Sequence, residues 1–438
     1  PPPVPAVGAA PAPEPIASPS RARRAELERR EGDVSVYRTA NGVPVLVRRK
    51  RGAPLVHLAA HVQGGATDEP AAAAGLTSLM VRTALKGTAL RDASRIAGDA
   101  ELLGGSIAPS VGAESFGWSM SVPTARAADA LALLADVAQH AAIPATALDT
   151  ERAVAIADLE LLRDDMYRWP LRLLAQTAFA GHPYGVPASG DETTLRGIDP
   201  GQVRDWHRDR CLHGPLVIAI VGDVDPDDAA REVARCFDAV SPGAVSAIGA
   251  PDWPDVSTIT VDSRAKAQTA LALAFPAPSR ADDARVAAHV LAGIASGLGG
   301  RFFEELRDRQ SLAYTVSAFA SERRRAGMFV SYIATSPDKE DVARQGLLAE
   351  FAKLRDAPVT SGELERAKAY AIGTHAIRQQ SGASVLGDLL DTWMFGTSLA
   401  ELAEHDARVQ AVTAGAIQDL ARRYFDDQRR VEAVIRGV

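Results

Sequence analysis

The sequence has few of the features that mark specialised classes of protein. It contains only two cysteines, Cys211 and Cys236, in 438 residues, which excludes a disulfide-rich scaffold. The two could be buried thiols or one disulfide, and we favour thiols. No apolar run approaches the roughly 18 residues of a membrane-spanning helix. The net charge of -7 gives no basic surface for nucleic acid, so we expect neither a membrane span nor a nucleic-acid partner.

What is present is typical of a globular protein with more than one core. The chain is 47% hydrophobic and 24% charged. Its 438 residues exceed the length that a single hydrophobic core usually serves. We therefore expect at least two domains.

The first 32 residues are expected to lie outside these domains. Residues 1–20 are rich in Pro and Ala and hold too little apolar bulk to fold, which predicts a disordered tether. Residues 21–31 form a charged lead-in that could be helical. The sequence does not begin with Met, which fits removal of an export signal and a periplasmic location, although a trimmed cytoplasmic chain would look the same.

Strand patterns begin directly after this region. Residues 34–40 and 43–49 flank Asn41-Gly42, the strongest short-range signal for a hairpin, and residues 55–62 add a third strand. His57 and His61 fall on one face of that strand, as metal ligands would. No third ligand lies nearby in sequence, so we interpret both histidines as structural.

The chain repeats itself at a fixed distance of 214 residues. This shift superposes residues 151–153, Glu-Arg-Ala, on residues 365–367, and the strand at 217–224 on residues 431–438. A run at 242–254 rich in Ser, Gly, Ala and Pro separates the copies and is predicted to be a linker. A duplication of this length implies two similar units, residues 33–241 and 255–438, rather than one large core.

The stretch from residue 299 to residue 316 joins a short helix to a strand. Two glycines allow a tight turn, acidic residues at 304 and 305 suit the first helical turn, and a strand-like composition follows. Arg307 then lies near the end of the helix, and Tyr314 lies at the start of the strand. From this pattern alone they would be a surface arginine and a half-buried tyrosine.

This stretch resembles the second-half signature of the pitrilysin/insulinase metallopeptidases, the inverzincins. In that family an Arg and a Tyr seven positions apart reach a substrate held at zinc, and here they would be Arg307 and Tyr314. The similarity extends over nearly the whole chain beyond its N-terminal region. It implies an α+β fold of two repeated domains, each an antiparallel sheet with helices on one face, which form half of a clamshell.

The family's zinc motif is missing from the first half. Active members carry His-x-x-Glu-His just before Lys-Gly-Thr, where two His bind zinc and the Glu takes a proton from its water. Ungapped alignment on the flanking Gly-Leu and Lys-Gly-Thr places Ser78 and Arg82 at the histidines and Val81 at the base. The third ligand falls at Asp158. We expect a salt bridge between Arg82 and Asp158 rather than bound Zn²⁺.

Two further segments match family signatures. Residues 104–111 correspond to the edge strand that pairs with bound peptide, but Pro109 removes one donor from it. That proline either weakens peptide pairing or has no functional meaning. Residues 182–185, His-Pro-Tyr-Gly, resemble another first-half signature, and we interpret His182 as structural rather than as a ligand.

A lost zinc motif beside a retained Arg/Tyr pair resembles the metal-free subunit of a heterodimeric peptidase. The resemblance implies that Arg307 and Tyr314 act on a peptide substrate at the zinc of a homologous His-x-x-Glu-His subunit, and that this chain holds no cofactor and is inactive alone. Two alternatives are a structural assembly subunit of the same fold and a peptide-binding protein without catalysis. The intact pair argues against the first, and peptide affinity of the isolated chain would support the second.

Overall fold

Two β-sheets organise the computed structural model, which describes residues 24–52, 54–297, 299–396 and 398–438. The strands are β1 (Ala25–Glu31), β2 (Val34–Thr39), β3 (Pro44–Arg49), β4 (Leu55–Gln63), β5 (Ile107–Val111), β6 (Ser115–Pro123), β7 (Leu216–Gly222), β8 (Thr258–Arg264), β9 (Thr269–Ala277), β10 (Thr315–Glu322), β11 (Gly327–Thr335) and β12 (Val431–Gly437). The first sheet has the order β1-β2-β3-β7-β4-β6-β5, and the second has the order β10-β11-β9-β12-β8.

Helices connect the strands and cover the sheets. They are α1 (Leu76–Ala84), α2 (Ala93–Leu102), α3 (Ala127–His140), α4 (Ala145–Asp164), α5 (Arg168–Ala178), α6 (Glu192–Gly197), α7 (Pro200–His207), α8 (Pro226–Cys236), α9 (Arg285–Ala295), α10 (Glu340–Asp356), α11 (Ser361–Arg378), α12 (Gly382–Phe395), α13 (Glu401–Ala411) and α14 (Ala414–Tyr424). Phe303–Arg309 is a π-helical segment between α9 and β10.

The second sheet repeats five strands of the first. Read in the reverse direction, β8-β12-β9-β11-β10 takes the places of β3-β7-β4-β6-β5. The strands β3 and β8 start 214 residues apart, at Pro44 and Thr258, and β4 and β9 do the same at Leu55 and Thr269. The predicted two-domain α+β fold is therefore confirmed. Residues 241–254, which contain the predicted linker, form neither helix nor strand.

The sheets are mixed rather than purely antiparallel. The strand β3 runs parallel to β7, with Val45 opposite Ile218, and β12 runs parallel to β8, with Val431 opposite Thr258. Parallel neighbours need a long crossover connection. Here most of the sequence of each domain, including its helices, runs from one of the paired strands to the other and supplies that crossover.

The two domains also exchange a helix. The first-half helix α5 packs Leu174 and Ala178 on Ala272 of the second sheet. The second-half helix α12 packs Leu389 on Val217 of the first sheet. Each sheet is thus covered on one face by helices of its own half and on the other by a helix from the other half, which goes beyond the one-sided packing expected. Burial on both faces explains why β7 is apolar and buried along its whole length.

Residues 25–31 correct the expectation of a helical lead-in. They form β1, which pairs antiparallel with β2 from Ala25 opposite Thr39 to Glu31 opposite Val34, and Gly32 makes the turn with a φ of 59°. Without β1, the outer backbone groups of β2 would lack strand partners, and that requirement prevails over a weak local helical tendency. Most charged side chains of β1 are exposed, which protects the sheet edge. The predicted tether, residues 1–20, lies outside the described residues.

Candidate functional site

Helix α1 occupies the place of the family's zinc helix. It starts after Gly75, which adopts a left-handed φ of 94°. The buried Glu69 carboxylate accepts hydrogen bonds from the Gly75 amide at 2.8 Å and the Thr77 amide at 2.6 Å. Val81 is fully buried, and its carbonyl accepts a hydrogen bond from the Trp118 indole at 3.0 Å. The position of the catalytic base is therefore an apolar core contact.

Four charged side chains fill the space where zinc ligands would meet, and we call them the charged clamp. Arg82 Nε lies 3.1 Å from Glu151 Oε2, and its Nη1 lies 3.0 Å from Asp158 Oδ2. Lys86 Nζ lies 3.0 Å from Glu151 Oε1. The predicted salt bridge between Arg82 and Asp158 is thus confirmed, and Glu151 joins it.

The charged clamp does not fit a zinc ion. Zinc needs three or four donors with free lone pairs, usually imidazole, thiolate or carboxylate. A guanidinium has no lone pair to give and keeps its proton in proteins. Both carboxylates of the clamp already face cations, so a metal would have to displace Arg82 and Lys86 from three ion pairs.

Arg307 and Tyr314 come together in the second domain. The guanidinium carbon of Arg307 lies 4.3 Å from the centre of the Phe303 ring and 4.8 Å from the centre of the Tyr314 ring. Both distances are within cation–π range. Arg307 therefore lies between two aromatic rings, and this contact fixes where its charge and the Tyr314 ring sit relative to each other.

A tight turn produces this arrangement. The chain reverses at Ser311, whose φ is 50°, and the Leu312 amide donates to the Leu306 carbonyl at 2.9 Å. The strand β10 then begins at Thr315, one residue later than predicted. Tyr314 stays outside the strand ladder and is 80% exposed, not half-buried as the local pattern indicated.

The charge of Arg307 is not neutralised within the described part of the chain. The neighbouring Arg309 pairs with Glu304 and Glu305. Over the same described residues, no carboxylate lies within salt-bridge distance of Arg307. The segment thus holds one arginine in ion pairs and keeps a second one available for an external hydrogen-bond acceptor.

Two parts of this site differ from what the sequence predicted. Phe303 was expected only to form part of an apolar helix face, and the segment was expected to be an ordinary helix, whereas it is π-helical. The spacing of Phe303 and Arg307, four residues apart on one turn, was the available signal for the stacking contact. The π-helical winding has no comparable signal in the sequence.

The edge strand β5 lies at the border of the first sheet, as the family resemblance implied. Pro109 sits inside it, opposite Trp118 of β6. The proline leaves β5 one donor short, on a strand whose other edge has no neighbour in the sheet.

The histidines singled out from the sequence have structural surroundings. The His57 Nδ1 lies 2.7 Å from the Ser121 hydroxyl. Burial lowers the pKa of His57 and lowers the pKa of His61 to about 4, so both rings are neutral at pH 7. His182 accepts a hydrogen bond from the Tyr184 amide at 3.1 Å and has its other nitrogen 3.2 Å from the Gly249 carbonyl. It therefore ties the linker region to the first domain.

The cysteines are free thiols, as favoured from the sequence. Burial raises the pKa of Cys236 to about 12 and also raises the pKa of Cys211. Neither thiol is ionised at neutral pH, so neither is an activated nucleophile.

Two family profiles match the chain. Residues 44–192 match the profile described as insulinase, peptidase family M16, and residues 197–370 match the profile described as peptidase M16 inactive domain. Both profiles belong to the same peptidase family, and between them they extend over both domains.

Similar proteins agree with these profiles. An uncharacterized zinc protease of Streptomyces coelicolor is 24% identical over 373 residues, which cover 83% of this chain and 80% of that protein. An uncharacterized zinc protease of Bacillus subtilis is 23% identical over 399 residues, covering 89% and 95%. The crystal structure of a peptidase M16 inactive domain from Pseudomonas fluorescens has a TM-score of 0.87 at 23% identity and covers 93% of this chain and 99% of that one.

Among the described residues, every helix is too short or too polar to cross a membrane. The described part of the chain thus shares the fold of that solved structure, with a charged clamp in place of zinc ligands. The chain belongs to the insulinase family of peptidases, family M16, as a member without the zinc-binding histidines.

Proposed function

We propose that the chain is the zinc-less subunit of a heterodimeric metallopeptidase and supplies Arg307 and Tyr314 to the active site of a homologous partner. The partner would carry His-x-x-Glu-His and the zinc ion, and the substrate would be a peptide. The observation that carries the proposal is the exposed Tyr314, 80% accessible, whose ring is held against a guanidinium that has no carboxylate partner in the described chain.

This exposure favours an intermolecular role. A large aromatic side chain left mainly in solvent gains little for the stability of its own fold. An arginine stacked on two rings keeps its fork of N–H donors free for a carbonyl or carboxylate brought by another molecule. Both side chains therefore suit a surface that a peptide and a second subunit would complete.

The chemistry assigned to the pair is hydrogen-bond donation. Peptide hydrolysis passes through a tetrahedral state with negative charge on the former carbonyl oxygen, and the partner's zinc would supply Lewis acidity there. The Tyr314 hydroxyl would donate to that oxygen as its charge grows. Arg307 would donate to a neighbouring peptide carbonyl and hold the substrate in register. Such a preorganised donor typically contributes a rate factor of about 10²–10³.

The charged clamp fits the same division of labour. Its charges are satisfied within the chain, so the clamp offers neither a metal site nor a free base. The isolated chain is therefore expected to be inactive on peptides. A purely structural assembly subunit would need neither an exposed Tyr314 nor an unpaired Arg307.

The test is kinetic and uses the complex reconstituted with the zinc-bearing partner. Tyr314→Phe deletes one hydroxyl and little volume, so turnover per assembled heterodimer should fall by about 10²-fold. Arg307→Ala should mainly raise KM. Assembly is checked by size-exclusion chromatography and zinc content by elemental analysis, and both should be unchanged.

Tyr370→Phe is the matched control, because Tyr370 is 69% exposed on α11 and lies outside the proposed site. It should leave turnover unchanged. Wild-type turnover by an intact Tyr314→Phe complex would refute the catalytic role and favour the scaffold alternative. Peptide binding by the isolated chain, without turnover in any complex, would favour the binding-protein alternative.

A further inference from the structure

A cavity of about 670 Å³, lined by both charged and apolar side chains, opens in the second domain beside α9, α11 and α13. The imidazole rings of His375 in α11 and His405 in α13 stack on each other in the wall of this cavity. Their centres are 3.9 Å apart, and the angle between their planes is 21°. The His405 Nδ1 lies 3.0 Å from Asp406 Oδ1. One possible ligand atom from each of these three residues lies within 4.8 Å of the others. Neither the charged clamp nor the Arg307 site uses any of them.

The donor set suits a transition metal. Two imidazole nitrogens and one carboxylate oxygen are the ligands that Zn²⁺ and neighbouring divalent ions take in three-ligand sites. Zinc–nitrogen bonds are about 2.0–2.1 Å, so the donors of one ion lie roughly 3–3.5 Å apart. The separation of His405 Nδ1 and Asp406 Oδ1 is already in that range. The rings are nearly parallel, so binding one ion would require rotation about the broad χ2 angle of each His to turn both lone pairs toward it.

The local charges leave the imidazoles available. Nearby arginines are occupied, because Arg378 pairs with Asp388 and Arg408 pairs with Asp283. Asp406 is the carboxylate that lies beside the two imidazoles and would offset part of a divalent charge.

The internal repeat gives this place a counterpart in the first domain. The 214-residue shift takes α4 to α11 and places His375 opposite Leu161, three residues after Asp158. The helix that carries a clamp carboxylate in the first domain thus carries an imidazole in the second. The second imidazole, that of His405, comes from α13. No helix in the position of α13 contributes to the charged clamp.

We propose that His375, His405 and Asp406 bind one divalent transition-metal ion, with water from the cavity completing its coordination. The ion would link α11 to α13 at a site separate from any catalytic zinc. The inference does not depend on the proposed peptidase role, because it concerns only this chain and is measured without a partner or a substrate.

The test is a calorimetric titration of the metal-stripped full chain with Zn²⁺. We expect saturable binding of one ion per chain. His405→Gln and His375→Gln should each weaken the affinity for Zn²⁺ by at least about tenfold. In metal sites generally, removing even a group that only supports a ligand costs about that much. The exposed Asp406→Asn gives a third variant with little risk to folding. Circular dichroism checks that each variant keeps its fold.

Two controls separate this site from other binding. His140→Gln removes an exposed histidine at the end of α3, and Asp158→Asn removes a carboxylate of the charged clamp. Both should retain full affinity. The proposal is overturned if wild-type protein shows no saturable binding, if the folded His375 and His405 variants bind as tightly as wild type, or if Asp158→Asn abolishes binding.

Discussion

The two sheets share the order of five strands, but each domain holds one arginine in surroundings opposite to those of the other. In the first domain Arg82 is held by Glu151 and Asp158, and its charge is cancelled inside the charged clamp. In the second domain Arg307 is held by the faces of Phe303 and Tyr314, which fix its position without cancelling its charge. Carboxylates consume the donors of an arginine, whereas aromatic rings leave them free.

This difference separates a structural arginine from one available for recognition. In the first domain, the ion pairs of the clamp occupy the position where zinc would bind in the family. The stacked pair leaves a cation and a phenol at the surface of the second domain, where another molecule can reach them.

The exchanged helices provide the largest expected effect. Leu389 of α12 is fully buried on the first sheet, so Leu389→Ala should destabilise the protein by about 2–5 kcal/mol through lost burial and a cavity. Leu174→Ala in α5 is the matched change on the second sheet, where Leu174 is equally buried. Urea denaturation followed by circular dichroism measures both. Because each sheet is completed by the other half, both variants should unfold in one transition, and two separate transitions would show that the domains fold independently.

The Arg301–Glu363 pair, which anchors the start of the Arg307 segment to α11, provides a pH-dependent effect. Its Nη2–Oε2 distance is 2.9 Å, and the hydrogen bond from Arg301 lowers the pKa of Glu363 to about 2. A carboxyl group with a lowered folded-state pKa stabilises the fold above its ordinary pKa near 4.5, and this stabilisation disappears as the pH falls toward 2. Glu363→Gln should therefore lower the free energy of unfolding by about 1–3 kcal/mol at pH 7 and by less at pH 3.

Glu365→Gln is the control for that pH dependence. Glu365 lies in the same helix but is 70% exposed and has only a long contact with Lys368. Its substitution should change stability little at either pH. A pH-independent loss in Glu363→Gln would mean that the capping bond to Thr360, rather than the charge, carries the effect.

Phe303 tests the aromatic side of the comparison. Phe303→Leu keeps an apolar side chain but removes one of the two rings around Arg307. A cation–π contact contributes about 0.5–2 kcal/mol, so kcat/KM of the reconstituted complex should fall roughly 2- to 30-fold. Phe319→Leu, a half-buried change on β10 away from the pair, should leave kcat/KM unaltered. Equal losses in both variants would mean that the effect is one of folding.

Asp158→Asn tests the arginine that is paired with carboxylates, Arg82, and should have the smallest effect on stability and turnover. Its side chain is 55% exposed, so Asp158→Asn should cost less than about 1 kcal/mol of unfolding free energy. Turnover of the reconstituted complex should not change, because the clamp has no catalytic role in this proposal. A large loss of turnover in the folded complex would show that the first domain contributes to catalysis.

Several features followed from the sequence because they depend on residue identity or short spacing. The missing histidines at Ser78 and Arg82, the hairpin at Asn41-Gly42 and the 214-residue repeat are all visible in the chain itself. The Arg82–Asp158 salt bridge followed from the family resemblance, which places both side chains where zinc ligands would meet, and from their opposite charges. The duplication indicated two similar α+β units, and the resemblance implied the loss of the zinc ligands.

Only the tertiary structure decided the rest, since it depends on what residues distant in sequence provide. Residues 25–31 became a strand because β2 had an open edge. The helices α5 and α12 crossed to the other domain because each sheet had a second apolar face to bury. Tyr314 stayed exposed because it precedes Thr315, the first residue of β10, and its ring lies against Arg307 rather than in the core. Backbone hydrogen bonds and apolar burial are satisfied by whichever segment reaches them, and the sequence does not reveal which segment that is.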